Sequence, residues 1–354
     1  MKLRVMGMAG AVLVVLAGWM IVHFTSDTAA PAAAAKPAKE VAGKSKRTRD
    51  DSRQSRKPLP ETVRRSSWFS KAGKPPEISA EQINAYLENN RRNPSALLAA
   101  SRVANNIEFL REAAKAAPGD RNVQLELAVR GVTPEEKREA LNRYRELDPN
   151  NSYADYLAAL LDFQQGRTEE AIANLDAADK HAEYRTPAAE MRQPCEDLYL
   201  SAGHTPVEAK AAAMFLQPTA FLAPMSQLAN YLVNANPLGM RKPDEATSGR
   251  LLQSALGFSR KITAEKSLAV SDMMGVAVET RVLRAFPQDE PLPGSGKTPA
   301  QRLEELTAER TEIATLGKDA ATFQADMTES EFLKYLKRVE AEGEVNALRN
   351  LRDK

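Results

Sequence analysis

Residues 148–180 read "DPNNSYADYLAALLDFQQGRTEEAIANLDAADK", and the way they are read decides the fold. Taken alone, "LAALLD" at 157–162 looks like a buried strand ending in Asp. The wider stretch points elsewhere. Tyr153, Tyr156, Leu160 and Phe163 recur three and four residues apart, the spacing of one helix face. Gly166 then stands where a helix closes through a left-handed residue. Beyond it, Ala171 and Ala178 are small enough for two helix backbones to approach closely. The stretch therefore predicts two helices joined by a tight turn.

The same stretch resembles a tetratricopeptide repeat, a family built from helical hairpins of about 34 residues. The matching positions are Asp148-Pro149-Asn150-Asn151 at the start, Gly166 at the turn, Glu170-Ala171-Ile172 in the second helix, then Leu175 and Ala178. Asp155 and Asp162 depart from the family, which usually places an aromatic at these points, so altered packing is expected there. The resemblance implies a concave groove for a peptide or partner helix, with Tyr153, Tyr156, Leu160, Phe163 and Gln164 as candidate groove residues. The same stripe also suits plain helix–helix core, and both readings stay open at this point.

Upstream, Pro94, Pro118 and Pro149 each begin a similar unit, with shortened spacings of 24 and 31 residues. Residues 78–202 therefore read as stacked, repeat-like hairpins that bury their apolar faces on one another. Residues 203–286 read as a further helical region, with amphipathic segments over 218–235, 243–261 and 264–286. A linker at 287–297 separates them from C-terminal helices over 298–354. There, residues 299–327 carry Leu303, Leu306, Ile313, Leu316, Ala320 and Phe323 along one side. Arg310 and Gly317 interrupt any heptad, so this helix packs on the body and not in a coiled coil. A last hairpin turns near Gly343. Composition agrees: 43% apolar but only 6% aromatic residues favours helices packed through small side chains, and the fold class expected is all-α, a tetratricopeptide-like solenoid with a C-terminal helical segment.

Helix starts also settle a misleading motif. Residues 291–301, "PLPGSGKTPAQ", end like a phosphate-binding loop of the form G-x-x-x-x-G-K followed by Ser or Thr. The first glycine would fall at position 291, which is Pro, and no strand leads into the loop. Thr298-Pro299-Ala300-Gln301 is instead a capping box, in which the Thr hydroxyl accepts a first-turn N–H. Thr133 to Glu136 and Thr205 to Glu208 repeat the device, Thr186-Pro187 is a partial copy, and Ser79 to Gln82 and Thr328 to Glu331 lack the proline. A committed Thr298 cannot hold Mg²⁺, so no nucleotide and no other cofactor is expected.

The amino-terminal end supplies an address. Basic residues 1–4 precede residues 5–24, twenty residues with no charged side chain, enough for a helix about 30 Å long. This predicts a single N-terminal membrane anchor; a cleaved signal sequence is the alternative, because the Ala run at 29–35 offers cleavage sites. Lys2 and Arg4 lie closer to the span than Lys36, which favours a cytoplasmic N-terminus and a periplasmic or otherwise extracytoplasmic body in a bacterial envelope. His23 is read as an interfacial residue without a function.

The net charge of +2 hides a segregation. Residues 36–74 hold thirteen Lys/Arg against four Asp/Glu, whereas residues 75–354 hold 34 against 42. Residues 25–77 therefore read as a disordered tether, Ala/Pro-rich and then basic, either a solvated spacer or a contact for lipid headgroups or another anionic polymer. Trp68 and Phe69 form its one aromatic pair and read as the edge of the body or of the membrane interface.

Candidate chemistry is sparse. His181, His204 and Cys195 lack any compact metal-ligand spacing, and no nucleophile elbow or dinucleotide motif occurs. A Cys195–His204 nucleophile pair is conceivable, but surface histidines and a buried free thiol suit the pattern better. Three functions follow, in order: a membrane-tethered helical scaffold binding another envelope protein; an envelope protein whose basic tether binds an anionic polymer or lipid; and an all-α enzyme. No catalytic or metal-binding residue is assigned.

Overall fold

The computed structural model describes residues 75–216, 218–233, 245–265, 268–292 and 295–353. Among them are fifteen helices and no strand, so the all-α expectation holds. In chain order they are α1 (Ala80–Asn89), α2 (Pro94–Val103), α3 (Ile107–Ala116), α4 (Arg121–Arg130), α5 (Pro134–Leu147), α6 (Ser152–Gln164), α7 (Thr168–Lys180) and α8 (Ala188–Ser201). Then come α9 (Pro206–Phe215), α10 (Pro218–Val233), α11 (Glu245–Ala264), α12 (Ala269–Leu283), α13 (Pro299–Asp326), α14 (Glu329–Glu342) and α15 (Glu344–Arg352). The expected anchor, the basic tether and the Trp68–Phe69 pair lie outside the described residues. No helix among the described residues is long and apolar enough to cross a membrane.

Caps explain where most helices begin. Ser79, Thr205, Thr298 and Thr328 each form a complete capping box, satisfying two backbone donors at each start. Thr133 completes only half of one: its hydroxyl accepts from Glu136, whose carboxylate turns to the Val132 N–H at 2.7 Å and to Arg111. Thr186 does not cap its helix at all. Its N–H and hydroxyl both donate to Glu265, at 2.8 and 2.7 Å, tying the start of α8 to the end of α11.

Successive helices pair as hairpins: α2 with α3, α4 with α5, α6 with α7, α8 with α9, α11 with α12, and α14 with α15. Gly166 turns the α6–α7 hairpin at φ +73° and Gly343 turns the last one at φ +85°, a region that penalises any side chain with a Cβ. The α8–α9 hairpin spans the 202/203 division drawn from sequence. Later helices then fold back on earlier ones. The α8 helix packs on α2, α10 on α6, α11 on α7, and α9 on α14. The long α13 packs on α12 and α15 through Leu306, Ile313, Leu316 and Ala320, as its one-sided apolar pattern predicts.

Two large apolar clusters result among the described residues, and a third, of Tyr199, Ala209 and Ala212, joins α8 to α9. The smaller of the two large ones joins α1 to α4 with α8 and α9, and fully buries Leu87, Leu97 and Leu110. Burying a leucine side chain stabilises by roughly 1.5–3 kcal/mol at most. The larger runs from α4 to α15. Arg102 of α2 and Glu126 of α4 form an ion pair whose side chains are 3% and 0% exposed, and Phe221 of α10 lies 4.5 Å beneath the guanidinium. Burial pushes the Arg102 pKa down to about 10. Within the 287–297 segment, read as a linker, Leu292 is buried in the larger cluster and its N–H donates to the Lys297 carbonyl at 2.8 Å.

Candidate functional site

Helix α6 is buried nearly all round. Its start is held from both directions: Asn151 caps Tyr153 and donates to the Arg185 carbonyl at 2.9 Å, while the Ser152 N–H and hydroxyl both reach the Glu183 carbonyl. The stripe read as groove or core is covered by this chain itself. Tyr153 meets Tyr184 and Phe221 edge-on, and its hydroxyl donates to the Phe221 carbonyl at 3.3 Å. Tyr156 lies 4.7 Å from the Phe258 ring, with the Lys261 ammonium 5.6 Å over its own. Phe163 stacks on Tyr231 at 5.3 Å, and Leu160 is 5% exposed. Tyr153, Tyr156 and Phe163 are core in the described chain, covered by Tyr184 and by α10 and α11, while Leu160 is buried at the edge of this face. Gln164 alone is exposed, and it donates to Gln227 of α10 at 3.1 Å.

The two departures from the repeat pattern form a polar seam on the other side of α6. Asp162, 2% exposed at its side chain, accepts from Arg138 of α5, from Arg167 at 2.7 and 2.9 Å, and from Asn174 of α7 at 2.7 Å. Burial pushes this carboxyl up, but hydrogen bonds from Arg138 and Arg167 outweigh it and hold the pKa below its ordinary value. Asp155 accepts from Arg145 at 2.6 Å and faces His181 at 3.6 Å; here burial wins and the pKa is raised. Where the resembled family packs rings, this chain clamps α6 to α5 and α7 with charge.

The open feature lies where α6 ends. A cleft of 380 Å³ sits between α4, α5, α6 and α10, with Ala128, Leu141, Leu157, Leu160 and Leu161 as its apolar wall. Arg130, Lys137, Asn105, Gln164 and Gln227 form its polar rim, and the compact Ala223 and Pro224 keep the α10 side shallow. Arg130 is fixed by Ser101, whose hydroxyl and carbonyl it meets at 3.0 Å, and by Asn105 at 3.3 Å. Burial lowers its pKa, though the side chain still lines the opening. Lys137 makes no ion pair among the described residues. The lining contains no Asp, Glu, His or Cys, so the cleft has cationic rim groups and an oily floor but no nucleophile with a base. Of the five candidate groove residues, Leu160 and Gln164 reach this cleft and the three aromatics do not.

Other candidates separate in space. Cys195 is buried in the smaller cluster, and burial pushes its thiol up to about 11, far from an activated thiolate. His204 packs edge-on against Tyr199 and faces Glu208 at 3.6 Å, while His181 sits on the Asp155 seam. No group of three potential metal ligands comes together among the described residues. The Thr298 hydroxyl accepts from Gln301, and Lys297 pairs with Glu305 at 2.6 Å.

Of the rim residues, only Gln164 was legible in the sequence. Arg130 closes one helix and Lys137 lies in the first turn of the next, so only the α4–α5 hairpin brings them to one mouth. Among the described residues the fold is an all-helical body of returning hairpins, with a cation-rimmed apolar opening at the end of α6. No family model, no curated protein and no solved structure matches the chain.

Proposed function

We propose that this chain is a membrane-tethered helical scaffold that binds another envelope protein, and that the cleft at the end of α6 is its binding edge. One observation carries the reading: an apolar wall stands open beside Arg130 and Lys137, and no carboxylate among the described residues lines it. Such a site suits a partner segment that presents an aliphatic side chain next to Asp or Glu. The apolar group gains from leaving water, and the acid selects orientation and speeds encounter. The α6–α7 hairpin, with its Gly166 turn and its Ala171 and Ala178 contacts, is read as one tetratricopeptide-like unit in a degenerate array. The apolar segment at 5–24 would hold the body at the membrane, and the basic stretch at 36–74 would serve as spacer.

The test places a photo-crosslinking side chain at Gln164 of the full chain in its native membrane. The reading expects one protein to be captured, with at least a tenfold loss on Lys137→Glu and full retention when residues 36–74 are deleted. Capture that survives Lys137→Glu but disappears with the deletion overturns it in favour of the basic tether.

A further inference from the structure

Helix α12 begins at a residue that cannot cap it. Its N-cap is Leu268, which offers no side-chain acceptor. The missing acceptor comes from 75 residues further along the chain: the Glu344 carboxylate, at the first position of α15, accepts the Ala269 N–H at 2.9 Å. Glu344 is 2% exposed, and its other oxygen lies 3.5 Å from the Tyr335 hydroxyl of α14. One turn into α12, on the side of Ala269, stands a second acid, Asp272. Arg349 of α15, whose charge bears on Asp272, is already engaged: it donates to Glu312 of α13 at 2.9 and 2.8 Å and to Asn346 at 3.1 Å. Glu309 of α13 also draws on Arg349, and Arg352 faces Glu312 at 4.0 Å. The buried Glu344 and the half-buried Asp272 therefore stand on two elements of one interface, and neither is in an ion pair among the described residues.

We propose that the C-terminal hairpin α14–α15 is held on α12 by a proton-dependent latch, in which Glu344 caps α12 only while a proton within the Asp272–Glu344 pair relieves their repulsion. Docking then binds a proton that the undocked hairpin releases. Both carboxyls are pushed up to about 7, Glu344 by burial and Asp272 by burial and the Glu344 charge, with Arg349 opposing. Tyr335, itself raised well above its ordinary value by burial, stays neutral throughout. The sign follows directly. Stabilisation by raised carboxyls is complete below their ordinary range near 4 and is lost as pH climbs through 7. The pair titrates as a unit, so the steps belong to both residues together. In an extracytoplasmic body, whose surroundings follow the external medium, such a latch would couple hairpin release to alkalinity.

Hydrogen exchange of the full chain, corrected for the intrinsic rate at each pH, reads the latch. With one linked proton, protection over residues 329–352 falls about tenfold between pH 6 and pH 8.5 in the wild type, while α2 to α4 stay level. Asp272→Asn combined with Glu344→Gln removes both titrating groups while the new amide oxygen at position 344 can still accept the Ala269 N–H, and protection should then change less than about threefold over the same range. A flat wild-type profile, or a double-variant profile as steep as the wild type, overturns the proposal. Should the double variant fail to fold, the wild-type side-chain carboxyl shifts decide. At least one of the pair titrating between pH 6 and 8 supports the latch, and both titrating below pH 5 refutes it.

Discussion

Asp162→Ala is the perturbation that most sharply separates a charge clamp from an incidental surface pair. The carboxylate is nearly inaccessible and accepts from Arg138, Arg167 and Asn174 at once. Removing one member of a fully buried ion pair costs ~3–5 kcal/mol, because the remaining charge is stranded. Arg138 and Arg167 are 27% and 41% exposed, so both partly rehydrate, and Asn174 retains Arg145 as a partner. The discounted loss is about 2 kcal/mol. Urea unfolding followed by far-UV circular dichroism at pH 7 reads it: with a slope of about 2 kcal/mol/M, the midpoint drops by about 1 M while the slope is unchanged. The pH dependence gives a second check. Because the folded pKa is lowered, the stabilisation is present above the ordinary carboxylate value near 4 and is lost as pH falls through the folded value. The gap between wild type and Asp162→Ala therefore narrows on acidification. A loss below about 0.5 kcal/mol at pH 7, or a gap that stays constant into acid, refutes the clamp.

Three further outcomes follow from single contacts. Arg102→Met alone should cost about 3 kcal/mol by leaving the buried Glu126 only the more distant Arg130, at 3.9 Å, whereas Arg102→Met with Glu126→Leu should recover most of it, both read by urea midpoints. An added Cβ at Gly275 would lie 2.2 Å from the Thr263 hydroxyl, so Gly275→Ala should destabilise the α11–α12 packing by about 1–3 kcal/mol; at Gly249 nothing lies within 4 Å, and Gly249→Ala should raise stability by up to about 1 kcal/mol in thermal unfolding. Cys195 should resist a thiol-specific disulfide reagent at pH 8 for as long as the chain is folded and react within seconds in denaturant; rapid labelling of the native chain would contradict its burial and raised pKa.

Local signals were legible because their causes are local. A Thr or Ser with Gln or Glu three residues on satisfies first-turn donors by itself, and Ser79, Thr205, Thr298 and Thr328 behave that way. Thr186 did not, because Glu265, far along the chain, offers it a better acceptor. The 299–327 helix and the Gly343 turn were read nearly to the residue, since period and glycine need no partner to be recognised. The α6 stripe was ambiguous for the opposite reason. Tyr153, Tyr156, Leu160 and Phe163 record that something apolar covers them, and spacing cannot say whether it is a partner helix or the chain's own α10 and α11. Asp155 and Asp162 were visible as departures from a repeat, yet their arginine partners sit on α5 and in the turn before α7. The cleft was unreadable in principle, because Arg130, Lys137, Gln164 and Gln227 meet only after the α4–α5 hairpin, α6 and α10 have packed together.

The account rests on α10 sealing the aromatic face of α6, which leaves recognition to the open cleft beside it. Native-state hydrogen exchange along α6 and α10 measures that seal directly, since a helix that lifts away exchanges far faster than the global unfolding rate allows. The prediction is that amides of residues 154–163 and 222–232 fall in one slow class, tracking global stability as urea is added. Exchange of α10 within minutes, with a shallow urea dependence and reactive Tyr153 and Tyr156 rings, would contradict it and return the groove to α6.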